Sequence, residues 1–299
     1  MHAGQDATAR FSLFKKPTNK LSTSVATRES RNMAPMPYTD IHGASVEYQQ
    51  TGSGPNLLLL HSLLTDMSVF DCMLPALAKN FRITRLNLPG YGQSMPRVLT
   101  QVADYADHVN AVLDKLKLPP QTHVFGNGFG AFVALMLAIR HGARLNRLLI
   151  ADVLATFPEP ARVPFRMMSD KVAASGMSAI LDAAIGRMFP PAFQAAHPHE
   201  VTLRKVALAR VDAGSFSRAC CALAALDTAA DLHKIKNPTL VMCGALDLTT
   251  PPALAQALAH GIAGAQYREI AASGHCPMVE QPALLSATID DFIRSAEYS

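Results

Sequence analysis

Val124-Phe125-Gly126-Asn127-Gly128-Phe129-Gly130-Ala131-Phe132 is the stretch whose reading decides the fold. A short apolar strand pattern (His123 to Phe125) enters it, and an apolar helical pattern (Phe129 to His141) leaves it. Gly126 and Gly130 bound the frame of the strained strand-to-helix turn written G-x-S-x-G, whose middle residue presents a nucleophile. The middle position here is Gly128. Glycine has no Oγ, so acyl-enzyme chemistry from that position is excluded.

Working outward, the pattern is strand, loop, helix, repeated. Val46 to Gln50 reads as a strand and Gly52-Ser53-Gly54-Pro55 as a turn. Leu57 to Leu60 is a continuous apolar run, the signature of a strand buried on both faces. It ends in His61-Ser62-Leu63-Leu64-Thr65-Asp66. Met67 to Ala78 is expected to be helical and Phe81 to Leu88 a strand, followed by the loop Pro89-Gly90-Tyr91-Gly92-Gln93-Ser94. Val102, Ala106, Val109, Val112, Leu113 and Leu116 recur at helical spacing. Leu148 to Ala151 and Pro238 to Met242 are further strands, then Pro252 to His260 a helix and Tyr267 to Ile270 a last strand. Gly274-His275-Cys276 and a closing helix, Pro282 to Arg294, end the chain. The expectation is an α/β fold with a mostly parallel central sheet, built from residues 37–154 and 237–299. Residues 155–236 interrupt it with helical segments, several prolines (Pro158, Pro160, Pro164, Pro190, Pro191, Pro198) and no strand signal. An insertion there reads as a helical cap over the C-terminal edge of the sheet, where such folds bind ligands.

Residues 1–36 differ in kind. They carry Arg10, Lys15, Lys16, Lys20, Arg28 and Arg31 against Asp6 and Glu29, with no apolar period, and are expected to be disordered. They read either as an extension from an upstream start, with Met33 or Met36 the true start, or as an organelle transit peptide. The chain of 299 residues is 49% apolar, ample for a core, and its net charge of +4 comes without a basic stripe, which argues against nucleic acid as a partner. No apolar run approaches the ~20 residues of a membrane span. Five cysteines without a C-x-x-C pair point to reduced thiols in a cytoplasm-like compartment.

His61-Ser62, the loop 89–94, the glycine frame, Gly244-x-x-Asp247 and Gly274-His275, in that order, resemble the α/β-hydrolase fold family. His61 to Asp71, Gly186 to Phe193, Ala196-His197-Pro198, Pro238 to Val241 and Glu280-Gln281-Pro282 look most like the 3-oxoadipate enol-lactonase group. The resemblance covers residues 37–293. Met188 and Asn87 depart from it, standing where that group often has tryptophan and aspartate. It implies hydrolysis of a small ester or lactone, with no metal or organic cofactor. His275 takes the general-base position; a surface-loop histidine is the alternative. Asp247 would orient the imidazole, although an aspartate there also suits a helix N-cap, and Asp152 is the other candidate acid. The amides of Phe129 and of Leu63 or Ser62 correspond to the oxyanion hole, with Ser62 also lining the substrate site. Arg187 is a cap guanidinium suited to a substrate carboxylate, or else simply solvated. Ser62 and Cys276 lie nearby, but neither stands on the strained turn, so neither is read as a substitute nucleophile.

Gly128 then admits three readings. It replaces the serine of a working hydrolase, as an engineered Ser→Gly change does. It marks a catalytically dead small-ligand-binding protein. Or it belongs to an enzyme that uses His275–Asp247 as a base without a covalent step. Glycine relieves positive-φ strain at such a turn, and the intact acid and histidine favour the first reading.

Overall fold

A computed structural model describes residues 37–295; the expectations for residues 1–36 lie outside the described residues. The strands are β1 (Tyr38–Ile41), β2 (Ala44–Thr51), β3 (Asn56–Leu60), β4 (Arg82–Leu86), β5 (Thr122–Asn127), β6 (Leu145–Ala151), β7 (Thr239–Gly244) and β8 (Gln266–Ile270). They form one sheet in the order β1-β2-β4-β3-β5-β6-β7-β8. The β1–β2 and β2–β4 pairs are antiparallel, and every pair from β4–β3 to β7–β8 is parallel. Leu57, Leu58, Leu59 and Leu60 are each 0% exposed, as a continuous apolar strand covered on both faces requires.

The helices are α1 (Leu74–Leu77), α2 (Val102–Lys115), α3 (Phe129–His141), α4 (Glu159–Ser175), α5 (Leu181–Met188), α6 (Pro191–Ala196), α7 (Pro198–Ala209), α8 (Ala213–Ala225), α9 (Pro252–Gly261), α10 (Pro277–Glu280) and α11 (Pro282–Arg294). The predicted face of α2 is the buried one: Val102, Ala106, Val109, Val112 and Leu113 lie in the core. A capping box between Gln101 and Asp104 starts that helix. Between β6 and β7 the chain makes α4 to α8 and contributes no strand to the sheet.

Three local expectations are corrected. Strand β1 was not anticipated; it pairs with β2 through a turn in which His42 and Gly43 both take positive φ (52° and 79°), the backbone a two-residue hairpin requires. Met67 to Ala78 is not one helix. It is a 3₁₀ turn (Met67–Phe70) capped by Asp66, followed by the separate short α1; Pro75 sits in the first turn of α1, where its missing N–H is tolerated. The prolines of residues 155–236, expected between the helical segments, are partly inside them: Pro160 and Pro164 lie in α4, Pro191 opens α6 and Pro198 opens α7.

Register decides what meets at the sheet edge. Leu60 pairs with Gly126 in adjacent parallel strands, so residue 62 and residue 128 leave the sheet side by side. Asn127 pairs with Ala151, Ala151 with Met242 and Gly244 with Ile270. The loops carrying Asp152, Asp247 and His275 therefore emerge along the same C-terminal edge.

Candidate active site

Gly128 caps α3 at φ 51°, ψ −119°, a conformation that costs an L-residue strain. Its N–H donates to Ala151 O (3.0 Å), and its carbonyl accepts from Ala131 N (2.9 Å) and Phe132 N (3.0 Å). The flanking glycines are steric requirements. A Cβ on Gly130 would overlap the Leu60 carbonyl oxygen and stand 2.6 Å from His61 O. At Gly128 the crowding comes from side chains: a Cβ would overlap Ser62 Oγ and stand 3.1 Å from Ser62 Cβ and 3.0 Å from His275 Nε2.

On the other side of that point lies a fully wired pair. His275 Nδ1 lies 2.8 Å from Asp247 Oδ2. Asp247 Oδ1 also accepts from Thr249 N (2.7 Å) and Thr250 N (3.2 Å), and Thr250 Oγ1 donates to Oδ2. Burial raises the Asp247 carboxyl, but the His275 charge and these donors overcome that and hold it well below the usual range. Burial lowers His275, yet the Asp247 carboxylate, aided by Asp152 and opposed by Arg187, carries it above its ordinary value. With Nδ1–H engaged by Asp247, the lone pair of neutral His275 is on Nε2, facing Gly128. The N-cap of α9 is Pro251, so Asp247 is not its cap.

Asp152 is close but differently engaged. It accepts from Asn127 Nδ2 (2.6 Å) and Gly244 N (2.9 Å). Burial, with the Asp247 charge beside it, holds its carboxyl well above the usual range. Asp152, Cys243 and Asp247 bring ligand-type atoms within 4.8 Å of one another, but all four carboxylate oxygens already accept protein hydrogen bonds. Cys276 is completely buried and its thiol is pushed far up by that burial and by the nearby Glu280 charge, so it is held as an inert thiol.

The loop after β3 is set by a buried histidine. Leu88 N–H donates to His61 Nε2 (3.0 Å), leaving Nδ1–H to donate to Ser62 O (2.8 Å). Burial lowers His61 to about 4, despite that carbonyl and Asp66, so it stays neutral and keeps both bonds. Tyr91 OH donates to Leu63 O (3.0 Å), and Ser62 N–H to Thr65 Oγ1 (3.1 Å). The N–H groups of Leu63 and Phe129 hydrogen-bond to nothing among the described residues. They are the unengaged donors an oxyanion hole needs.

Ser62, Leu63, Leu64, Gly128, Phe129, Phe132, Phe157, Phe165, Met168, Arg187, Leu223, Thr249, Thr250 and His275 enclose a cavity of about 20 Å³, room for about one water. α4, α5 and α8 supply its outer wall through Phe165, Met168, Arg187 and Leu223. The Arg187 guanidinium lies 5.8 Å from the centre of the Phe165 ring and has no carboxylate partner among the described residues. Burial lowers its pKa, partly offset by Asp247.

The predicted residues Ser62, Leu63, Gly128, Phe129, Arg187 and His275 thus line one cavity, with Asp247 behind the histidine. Asn87 sits elsewhere, and Met188 lies behind His275 rather than in that cavity. Asn87 ties Met67 N to the Glu47 carboxylate, and Met188 contributes its carbonyl to His275 N (3.1 Å). Sequence reasoning missed Glu280 as a support: it accepts from Gly274 N (2.8 Å) and Cys276 N (3.1 Å), bracketing His275. Its one signal was a carboxylate five residues after the histidine. Asn127 was missed too; it donates to both Asp152 and the His275 carbonyl, a link no local pattern carries.

The profile of the Alpha/beta hydrolase family matches residues 57–288. The chain is 26% identical to 3-oxoadipate enol-lactonase 1 of Acinetobacter baylyi, over 87% of this chain and 97% of that one. It superposes on the crystal structure of the enol-lactonase from Burkholderia xenovorans with a TM-score of 0.81 and 28% identity, covering 87% of this chain and all of that one. A thermophilic esterase from Thermogutta terrifontis, at 24% identity over 87% of this chain and 97% of its own, shares the fold with a TM-score of 0.79.

Proposed function

The chain belongs to the alpha/beta hydrolase family, and from that premise we propose that its site takes a small ester or lactone bearing a carboxylate, of the 3-oxoadipate enol-lactone kind. We further propose that turnover is impaired because position 128 is glycine. One observation carries the reading: the lone-pair nitrogen of an aspartate-held histidine stands 3.0 Å from the point where a side chain on Gly128 would begin. With serine at that point, the hydroxyl would attack the acyl carbon while His275 took its proton, then gave it to the leaving oxygen. Leu63 N–H and Phe129 N–H would hold the oxyanion, an effect of a few kcal/mol per donor in characterised enzymes. Asp247 would keep Nδ1 protonated and steady the imidazolium.

Among the described residues Arg187 is the cation on that wall without a carboxylate partner, and it would take the substrate carboxylate. Residues 155–236 would serve as a movable cap, because a cavity of about 20 Å³ must open before a lactone enters. The five free cysteines suit a reducing, cytoplasm-like compartment.

The test compares this chain with Gly128→Ser on 3-oxoadipate enol-lactone and on p-nitrophenyl esters of short acids. The serine variant is expected to turn over at least about 100-fold faster. Equal rates would remove the impaired-elbow reading. Tight binding of a small dicarboxylate without turnover by either protein would favour a binding protein of the same fold.

A further inference from the structure

The space a nucleophile's side chain would enter at position 128 is occupied. Ser62 Oγ stands close enough to overlap a Cβ on Gly128, and His275 Nε2 is 3.0 Å from where that Cβ would be. Ser62 is 3% exposed and lines the cavity. Its backbone is held at both ends: its carbonyl accepts from His61 Nδ1–H and Thr65 N–H, and its N–H donates to Thr65 Oγ1. Its hydroxyl has no hydrogen-bond partner among the described residues. It is open to the cavity, beside the free nitrogen of an aspartate-held histidine, so no protein group competes for it.

We infer that Ser62 Oγ is the nucleophile for the turnover left to this chain. The inference rests on the hydrolase reading above. The two oxyanion amides serve it without rearrangement. For a serine at 128, Phe129 N–H follows the nucleophile and Leu63 N–H faces it. For Ser62 the roles exchange: Leu63 N–H follows and Phe129 N–H faces. Both are unengaged. Ser62 is not on the strained turn, but the Leu60–Gly126 register places it beside that turn, and the missing Cβ at 128 leaves the room. Ser62 Oγ and Nε2 share no hydrogen bond in the resting structure, as is common for such pairs before substrate binds.

Ser62 Oγ bonds to the acyl carbon as its proton passes to His275 Nε2. The C–O bond to the alkoxide or enolate breaks, and that oxygen takes the proton from Nε2. Water then gives a proton to Nε2 and its oxygen to the acyl carbon; Ser62 Oγ leaves and recovers the proton. With a fluorophosphonate, Ser62 Oγ displaces fluoride from phosphorus and the reaction stops at a stable adduct.

The full chain is treated with a fluorophosphonate and the adduct located by intact mass and peptide mapping, beside hydrolysis of p-nitrophenyl acetate. One adduct on Ser62 is expected. Ser62→Ala should lose it together with at least about 100-fold in rate, with an unchanged melting temperature because the hydroxyl holds nothing in place. Ser62→Cys should restore acylation as a thioester visible by mass. In Gly128→Ser the new side chain displaces Ser62 Oγ, so the adduct should move to position 128. Absence of a Ser62 adduct, or a Ser62→Ala chain that hydrolyses at the parent rate, overturns the inference. If Gly128→Ser is active while the parent is never labelled on Ser62, the inference fails and the hydrolase reading stands. If neither protein reacts, both fail.

Discussion

The two sides of the cavity are specified in opposite ways. The Asp247–His275 side is defined by atoms that are present: two threonine donors, an imidazole and the bracketing Glu280. The Gly126–Gly130 side is defined by atoms that are absent, since Gly130 lets α3 press against the end of β3 where any Cβ would collide with backbone. Losing one partner on the first side leaves buried polar groups unpaired, which is costly. On the second side, glycine suits the positive φ of position 128, and a neighbouring hydroxyl fills the volume beside it. Position 128 can therefore go without a side chain and leave the frame intact, whereas the Asp247–His275 pair cannot lose a partner.

The largest effect is expected on the wired side. On the Gly128→Ser background, Asp247→Asn should lower kcat by about 10³–10⁴-fold, by analogy with other triads. The same substitution should move the pH profile. His275 must be unprotonated to act, and its pKa is raised, so activity is lost as pH falls through a limb above the usual ~6.5. Without the Asp247 charge, burial dominates and the limb should shift to lower pH; an unmoved limb would assign it to another group. Next comes the frame. Gly130→Ala should destabilise by about 3 kcal/mol or more in urea unfolding, because the collision is with backbone that cannot rotate away. The smallest effect sharpens the contrast within the turn itself. Gly128→Ala should cost only about 1–2 kcal/mol, the strain of a positive φ, because the atom it meets is a serine tip that can swing aside. Equal losses at 128 and 130 would make Gly128 a packing requirement rather than a replaced nucleophile.

Much of this was legible beforehand, for identifiable reasons. The run Leu57 to Leu60 and the helix from Phe129 to His141 stand where their apolar patterns put them, because an element covered on every face leaves a continuous apolar run in the chain itself. Strand β1 is hard to read because it is four residues long and its residues, Tyr-Thr-Asp-Ile, do not alternate in hydropathy although their burial does; its signal is the His42-Gly43 turn. The helix expected over Met67 to Ala78 failed because periodicity says nothing about how the chain leaves one turn and enters the next. Glu280 was noticed only as part of a resemblance, since its work is done on the backbone of residues 274 and 276.

By itself the sequence determined the α/β alternation, the glycine frame, the missing oxygen at 128 and the placing of an acid and a histidine after late strands. Tertiary structure alone decided which aspartate meets the histidine: Asp152 and Asp247 both follow a strand, but only Asp247 reaches Nδ1. It also decided that His61 is a neutral brace and that Ser62 shares a volume with Gly128. The reason is physical. Periodicity records which face of an element is buried, whereas the partner of a loop side chain depends on parallel strands distant in sequence ending in register at one edge.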